Sequence, residues 1–131
     1  MPNIFSKIIA GEIPAHKVAE NDDFLAFLDI NPLMMGHTLV IPKKEVDYIF
    51  DLDDELYQRL MLFAKKVAFG IKKAYPCDRI GVAVVGLEVP HTHVHLIPIN
   101  EIDDMNFTRP KLKLNQKQLA EAAEKIKVAL D

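Results

Sequence analysis

The sequence has little cysteine and no long apolar run, and each lack excludes a class of protein. Its single cysteine, Cys77, has no second thiol with which to form an internal disulfide or a cysteine-based zinc site. The longest stretch without Asp, Glu, Lys or Arg is residues 30–42, well short of the roughly 20 apolar residues that a membrane helix needs. No apolar block of signal-peptide length follows the N-terminus. We therefore expect a cytoplasmic protein without a membrane partner.

Surplus positive charge is also lacking. Sixteen Lys and Arg stand against 19 Asp and Glu, for a formal net charge of −3. Proteins that bind nucleic-acid polymers neutralise many backbone phosphates, which requires the opposite sign. We expect no nucleic-acid polymer as a partner, whereas a single mononucleotide held by a few N–H groups and side chains is compatible with this charge.

The composition that is present is that of one globular domain. The chain has 131 residues, of which 50% are hydrophobic and 27% charged, and no repeat or low-complexity linker divides it. A chain of this length buries enough apolar surface to fold without a disulfide or structural metal. The prediction is a single domain spanning residues 1–131.

Hydrophobic periodicity predicts three helices and about five strands. Ile4, Phe5, Ile8 and Ile9 share a helical face that ends before Gly11, and apolar residues recur at steps of three and four after an N-cap at Asp53. A further apolar stripe after Asn115 predicts a C-terminal helix. Short apolar or alternating segments predict the strands, at residues 16–19, 24–28, 38–41, 79–85 and 93–99. Hairpin spacing early in the chain favours an α+β fold with a mainly antiparallel sheet.

Three histidines alternate with other residues in the segment His91-Thr92-His93-Val94-His95. If this segment is extended, the three imidazoles project from one face of the sheet. A single histidine there is usually a buried, hydrogen-bonded core residue. Three in register are harder to explain by stability, because aromatic or β-branched pairs bury more area without needing polar partners.

Two functions fit this spacing. Three imidazoles can ligate zinc and leave a fourth position for water, although same-face neighbours on one strand lie about 6.6 Å apart, an awkward spread for one ion. Alternatively, one imidazole attacks an electrophile while its neighbours orient it or bind developing charge. The spacing alone leaves both open.

The segment His91-Thr92-His93-Val94-His95-Leu96-Ile97 resembles the His-φ-His-φ-His-φ-φ motif of the histidine triad (HIT) superfamily of nucleotidyl hydrolases and transferases. Other blocks resemble that family in the same order: Ile4-Phe5-Ser6-Lys7-Ile8-Ile9, Glu12-Ile13-Pro14-Ala15, Leu25-Ala26-Phe27-Leu28-Asp29-Ile30-Asn31-Pro32 and Gly36-His37-Thr38-Leu39-Val40-Ile41-Pro42. The resemblance covers about residues 4–99 and is nearest to the Hint-like branch of nucleoside phosphoramidate hydrolases. It implies a HIT-like α+β fold with a long central helix. Residues 100–131 are a C-terminal extension outside it.

The resemblance also implies roles for individual residues. His93 would be the nucleophile toward the α-phosphorus of a purine nucleotide conjugate, with His95 on the phosphate oxygens and His91 and His37 in support. Asp29 would accept hydrogen bonds from the ribose hydroxyls; without a ligand it would be a turn carboxylate before Asn31-Pro32. The pocket for the purine base would be lined by Ile4, Phe5, Ile8, Phe27 and Ile30. For these five residues the alternative is ordinary core packing.

The segment before the triad departs from the family pattern. Relatives usually have a Gly-Gln-Ser-like or Gly-Gln-Thr-like sequence there, whereas this chain has Gly86-Leu87-Glu88 in a shortened loop. A carboxylate at Glu88 would repel an anionic α-phosphate, but it could instead contact a cationic leaving group or protonate a leaving amine. Its alternative is a solvated loop residue.

Taken together, the expected function is hydrolysis of an α-phosphoryl bond in a purine nucleoside phosphoramidate or related conjugate, without a cofactor or metal. A nucleotide-binding sensor or partner-binding module with weakened chemistry is the alternative that Leu87 and Glu88 favour. A metal-dependent hydrolase is the third. The resemblance further implies a homodimer whose sheets join across the interface. Tyr57, Phe63 and Phe69 do not all fit the apolar stripe of the long helix, so part of that helix would expose aromatic surface for a partner.

Overall fold

A computed structural model describes residues 2–131 and shows a five-stranded sheet with three helices, as predicted. The helices are α1 (Ile4–Ile9), α2 (Asp54–Ala74) and α3 (Gln116–Leu130), and the strands are β1 (Lys17–Glu20), β2 (Phe24–Leu28), β3 (Thr38–Pro42), β4 (Arg79–Ala83) and β5 (Val94–Ile99). The strand order is β1-β2-β3-β5-β4, and every neighbouring pair is antiparallel. Short 3-10 turns lie at Ile49–Asp51 and Ile102–Met105.

The helix boundaries follow from their capping residues. Asn3, Asp53 and Asn115 each accept a hydrogen bond from a backbone N–H of the first turn, which satisfies a donor that the helix itself leaves unpaired. Gly11 has a φ of +80°, a left-handed conformation suited to glycine, directly after α1. The predicted caps at Asp53 and Asn115 are therefore confirmed.

The sheet is covered on both faces, which explains why β2 and β3 are buried along their whole length. One face packs against α2 and α3 through residues such as Ala26, Val40 and Leu96. The opposite face packs against α1 through Leu25, Phe27, Leu39 and Ile41 on the strands. His95 pairs in register with Leu39 and so faces the α1 side.

The predicted strands after α2 are too long in two places. β5 begins at Val94 rather than His93, and β4 ends at Ala83 rather than at residue 85. The reason is that the chain before Val94 leaves the sheet: Thr92 donates its N–H to the Val46 carbonyl, at 2.7 Å, in the loop after β3. Residues 91–93 are thus an irregular segment pinned to that loop. None of the helices within residues 2–131 is long and apolar enough to cross a membrane.

Candidate active site

The four histidines expected at the site all lie together where residues 91–93 meet the start of β5 and the loop before β3. All four are buried. Within residues 2–131 no fully buried side-chain nitrogen or oxygen lacks a hydrogen-bond partner, so the proton on each ring can be assigned from its neighbours.

His93 has the tautomer of a nucleophile. Its Nδ1 lies 2.7 Å from the His91 carbonyl oxygen, which can only accept, so Nδ1 carries the proton and Nε2 keeps its lone pair. The Phe5 ring meets His93 edge-on at a centroid distance of 5.0 Å and holds it from the α1 side. Because Nε2 has no partner among the described residues, it opens onto solvent, where a substrate could be attacked.

Both ring nitrogens of His91 are hydrogen-bonded. Its Nε2–H donates to the Pro42 carbonyl at 2.8 Å, and its Nδ1 accepts from the Asn3 side-chain amide at 3.2 Å. Burial lowers the pKa of His91, which keeps the ring neutral. Its backbone carbonyl fixes the tautomer of His93.

A chain of two hydrogen bonds fixes His95 through His37. The Leu33 N–H donates to His37 Nδ1 at 3.0 Å, which leaves the His37 proton on Nε2. That Nε2 lies 3.0 Å from His95 Nδ1, so it donates there, and the proton of His95 must be on Nε2. We call this chain, Leu33 to His37 to His95, the relay. It ends in an N–H donor at the open side of the site, beside His93, whose ring centroid is 5.1 Å away.

Both relay histidines are neutral at physiological pH. Burial lowers the pKa of His37 to about 3, helped by the neighbouring His95, and lowers that of His95 to about 4. The contact of 3.6 Å between His37 Nε2 and Asp29 Oδ2 is therefore not an ion pair. An N–H on a neutral imidazole is a hydrogen-bond donor and not a useful acid, so His95 is suited to bind a phosphate oxygen.

Asp29 follows β2 and lies beside the relay. Its Oδ1 accepts the Asn31 N–H at 2.9 Å, the turn contact that the sequence offered as the alternative to ribose binding. Burial raises the pKa of Asp29, and the negative charge of Glu88 adds to the rise, while the Asn31 N–H, His93 and Lys111 oppose it. The carboxylate keeps free acceptor capacity on Oδ2, as a hydroxyl-binding group requires.

Asp29, His37 and His95 also form the one group within residues 2–131 whose ligand atoms lie close enough, within 4.8 Å of one another, to hold a metal ion. A metal would need a lone pair on His37 Nε2. Because His37 Nδ1 accepts from the Leu33 N–H, the proton of the ring lies on Nε2, and a metal ion would have to displace that proton. The hydrogen bonding thus favours the relay over a metal site.

The five residues expected to line the purine-base pocket divide into a buried set and an exposed set. Phe5, Ile8 and Phe27 are buried together, with the Phe5 and Phe27 rings edge-to-face at 5.5 Å. Ile4 and Ile30 are instead 48% and 59% exposed. Exposed aliphatic side chains next to a buried aromatic pair would suit the flat faces of a base, but three of the five are also explained as core.

Leu87 and Glu88 lie on an exposed loop between β4 and residues 91–93. Leu87 is 89% exposed, and Val89 anchors the loop to the α1 side of the sheet. Glu88 is exposed as well, in agreement with the solvated alternative, yet its charge is near enough to act on Asp29.

Four residues near the site had not been predicted: Asn3, Phe107, Arg109 and Lys111. Asn3 lies directly before the part of the chain that the resemblance covers, and the other three lie in residues 106–112, beyond it. The Phe107 ring packs on His95 at 4.9 Å and on His37 at 6.4 Å. The only feature of the sequence that could have indicated a role for this segment is an aromatic residue, Phe107, within a polar loop.

Comparison with known proteins agrees with this fold. The HIT domain family model matches residues 10–102. An "Uncharacterized HIT-like protein" of Borreliella burgdorferi is 40% identical over 131 residues, which cover 94% of each chain. The yeast "Adenosine 5'-monophosphoramidase HNT1" of Saccharomyces cerevisiae is 41% identical over 96 residues, 72% of this chain and 61% of that protein.

A solved structure extends the likeness to the whole chain. A "Hit-like protein involved in cell-cycle regulation" of Bartonella henselae, crystallised "with unknown ligand", superposes with a TM-score of 0.84 and is 38% identical, covering 97% of this chain and 95% of that one. The matching family is one of nucleotide-binding hydrolases and transferases. The chain belongs to the histidine triad (HIT) family.

Proposed function

We propose that this protein hydrolyses the bond between the α-phosphorus of a purine nucleotide and a leaving amine, with His93 as the covalent nucleophile. The observation that carries the proposal is the pair of tautomers on neighbouring rings. His93 offers a lone pair on Nε2, and His95 offers a proton on Nε2. A nucleophile beside a donor for the phosphate oxygens is the arrangement that phosphoryl transfer through histidine needs.

The reaction has two balanced steps. His93 Nε2 attacks phosphorus, the P–N bond breaks, and the amine leaves with a proton taken from solvent at the open side of the site. Water then attacks the nucleotidyl-histidine, the P–N bond to His93 breaks, and the nucleoside monophosphate is released while the water proton passes to solvent. In both steps the His91 carbonyl stabilises positive charge on the His93 ring through Nδ1–H.

Substrate binding is assigned to groups around this pair. Asp29 would hold the ribose hydroxyls, and Ile4, Phe5, Ile8, Phe27 and Ile30 would hold the purine. Glu88 would contact the leaving group and favour a cationic amine, because a carboxylate attracts it and repels an anion. The activity of the yeast relative, named as acting on adenosine 5'-monophosphoramidate, supports this substrate class.

The deciding experiment is turnover of adenosine 5'-monophosphoramidate by wild type and by His93→Ala. We expect the variant to lose turnover by far more than the 10²–10⁴-fold typical of a missing general acid or base, because the covalent step is gone. It should still bind AMP within about tenfold, or roughly 1.4 kcal/mol. His16→Ala is the matched control, since the His16 ring bonds to Gln116 at the start of α3 and not to a histidine of the site.

Acid quenching and mass spectrometry should detect a nucleotidylated wild-type protein. Turnover that persists in His93→Ala but stops on chelation would replace this mechanism by a metal-dependent one. If wild type binds AMP but neither cleaves the phosphoramidate nor forms the adduct, the second candidate holds. That candidate is a nucleotide-binding sensor, and the observation that favours it is the exposed Leu87-Glu88 sequence in place of the family's phosphate-binding hydroxyl.

A further inference from the structure

Residues 106–112 cross the site after β5 and lie outside both the family model and the histidine motif. We call this segment the strap. It has no regular secondary structure, but it is fixed at several points. Leu112 donates its N–H to the Pro32 carbonyl at 2.8 Å, and the Lys111 ammonium donates to the carbonyls of Phe107 and Arg109.

The strap contacts both ends of the relay. Arg109 Nη2 donates to the Leu33 carbonyl at 2.8 Å, while the N–H of the same Leu33 residue donates to His37 Nδ1. At the other end the Phe107 ring meets His95 nearly perpendicularly, at 71° and 4.9 Å. Arg109 is held in turn by the carboxylates of Asp103 and Asp104, at 3.3 and 3.4 Å.

We propose that Phe107 is a positioning residue that holds the His95 ring so that Nδ1 accepts from His37 and Nε2–H faces the substrate. The inference rests on the proposed function for the role of His95 in the reaction. Without the ring of Phe107, one side of His95 would lose its packing partner, and water could compete with His37 for Nδ1. Phe107 touches no reacting atom and acts through the relay, chiefly through His95 at 4.9 Å and more distantly through His37 at 6.4 Å.

The surroundings of His95 agree with this role. His37, His93 and Phe107 are the rings packed on it, and Asp29 and Lys111 are the charged groups close to the His37 side of the relay. The low pKa of His95, about 4, has burial as its main cause, and Phe107 is part of that burial. A neutral ring with a defined tautomer depends on such an apolar wall.

The test combines kinetics with the imidazole nitrogen signals in ¹⁵N NMR. Phe107→Ala should lower kcat for the phosphoramidate by about 10–100-fold, the cost of a small misplacement, with KM changed less than about threefold. Phe107→Leu, which keeps most of the apolar volume, should recover kcat to within about threefold of wild type. Ile102→Ala removes an exposed side chain just before the strap and should change neither kcat nor KM.

In wild type the two His95 nitrogens should give separate signals, Nδ1 unprotonated and Nε2 protonated, and Phe107→Ala should average them. A wild-type ring protonated on Nδ1 overturns the proposal, and this measurement does not depend on whether the variant folds. Unchanged kcat in Phe107→Ala, or lost kcat with unaltered His95 signals, also overturns it. If wild type shows no turnover at all, the proposed function fails, while the His95 signals still test the placement of the ring.

Discussion

At the scale of single residues, the site is defined by which nitrogen of each ring carries the proton. A carbonyl acceptor sets His93, and a backbone donor at Leu33 sets His37 and through it His95. These assignments come from backbone groups that the sequence does not reveal. The residue types of the triad could be read from the sequence, and the resemblance implied a role for each, whereas the position of the proton on each ring required coordinates.

The relay makes stability depend on pH. The folded pKa of His37, about 3, lies below the usual 6.5, so the unfolded chain binds more protons than the folded chain below pH 6.5. The stabilisation is complete above that pH and is lost as the pH falls toward the folded pKa. Between pH 7.5 and 5.5 this residue alone should remove about 1.4 kcal/mol from the free energy of unfolding.

Urea unfolding of wild type, His37→Gln and the control His16→Gln at both pH values tests this. From pH 7.5 to pH 5.5, the free energy of unfolding of wild type and of the control should fall by about 1.4 kcal/mol more than that of His37→Gln. An equal pH dependence in all three proteins would mean that His37 is not held neutral by the fold. His95 and His91, whose pKa values are also lowered, add to the dependence that all three share.

At the scale of elements, the sequence predicted every helix and strand but misplaced some ends. The strong signals were local: caps at Asp53 and Asn115, and apolar steps of three and four in the helices. The ends of β4 and β5 depend instead on where Thr92 finds a partner, a contact across 46 residues of sequence. The strap escaped prediction for the same reason, because its contacts to Leu33 and Pro32 are long-range.

The loop between β2 and β3 offers a matched test of local geometry. Gly36, directly before His37, and Gly11, after α1, have φ angles of +90° and +80°, so alanine pays a similar backbone cost at each, roughly 1–2 kcal/mol. A Cβ at Gly36 would also lie 2.9 Å from Tyr75 Cδ2 and 3.3 Å from Pro98 Cγ, whereas nothing lies within 4 Å at Gly11.

Gly36→Ala should therefore destabilise the protein by about 1–3 kcal/mol more than Gly11→Ala, since overpacking is added to the backbone cost. Midpoints and slopes of urea unfolding for the two variants measure the difference. Equal losses of stability in the two variants would show that Tyr75 and Pro98 can move to make room for a Cβ at little cost, and that the loop carrying His37 is not tightly packed.

At the scale of the whole molecule, the two edges of the sheet differ in how they are protected. The β1 edge carries Lys17 and Glu20, paired at 3.4 Å, and Lys43 reaches the same glutamate at 2.9 Å. Charged side chains on an edge strand discourage pairing with another chain. The β4 edge has a single charged residue, the exposed Arg79 at its start, and then exposed Val82, Val84 and Val85. Phe69 on α2 is 63% exposed. Tyr57 and Phe63, the other two aromatic residues expected off the apolar stripe of α2, are instead partly buried against the core.

This asymmetry supports the proposal of a homodimer joined along β4. Sedimentation at low micromolar concentration should give twice the 14.8 kDa mass of one chain. Val82→Lys places a charge in the apolar part of the β4 edge and should shift the protein to the monomer, because burying an unpaired ammonium against a second sheet is costly. Val128→Lys adds the same charge at an exposed position on α3 and should remain dimeric. A wild-type protein that sediments as one chain contradicts the proposal, and a dimer that survives in Val82→Lys places the interface away from β4.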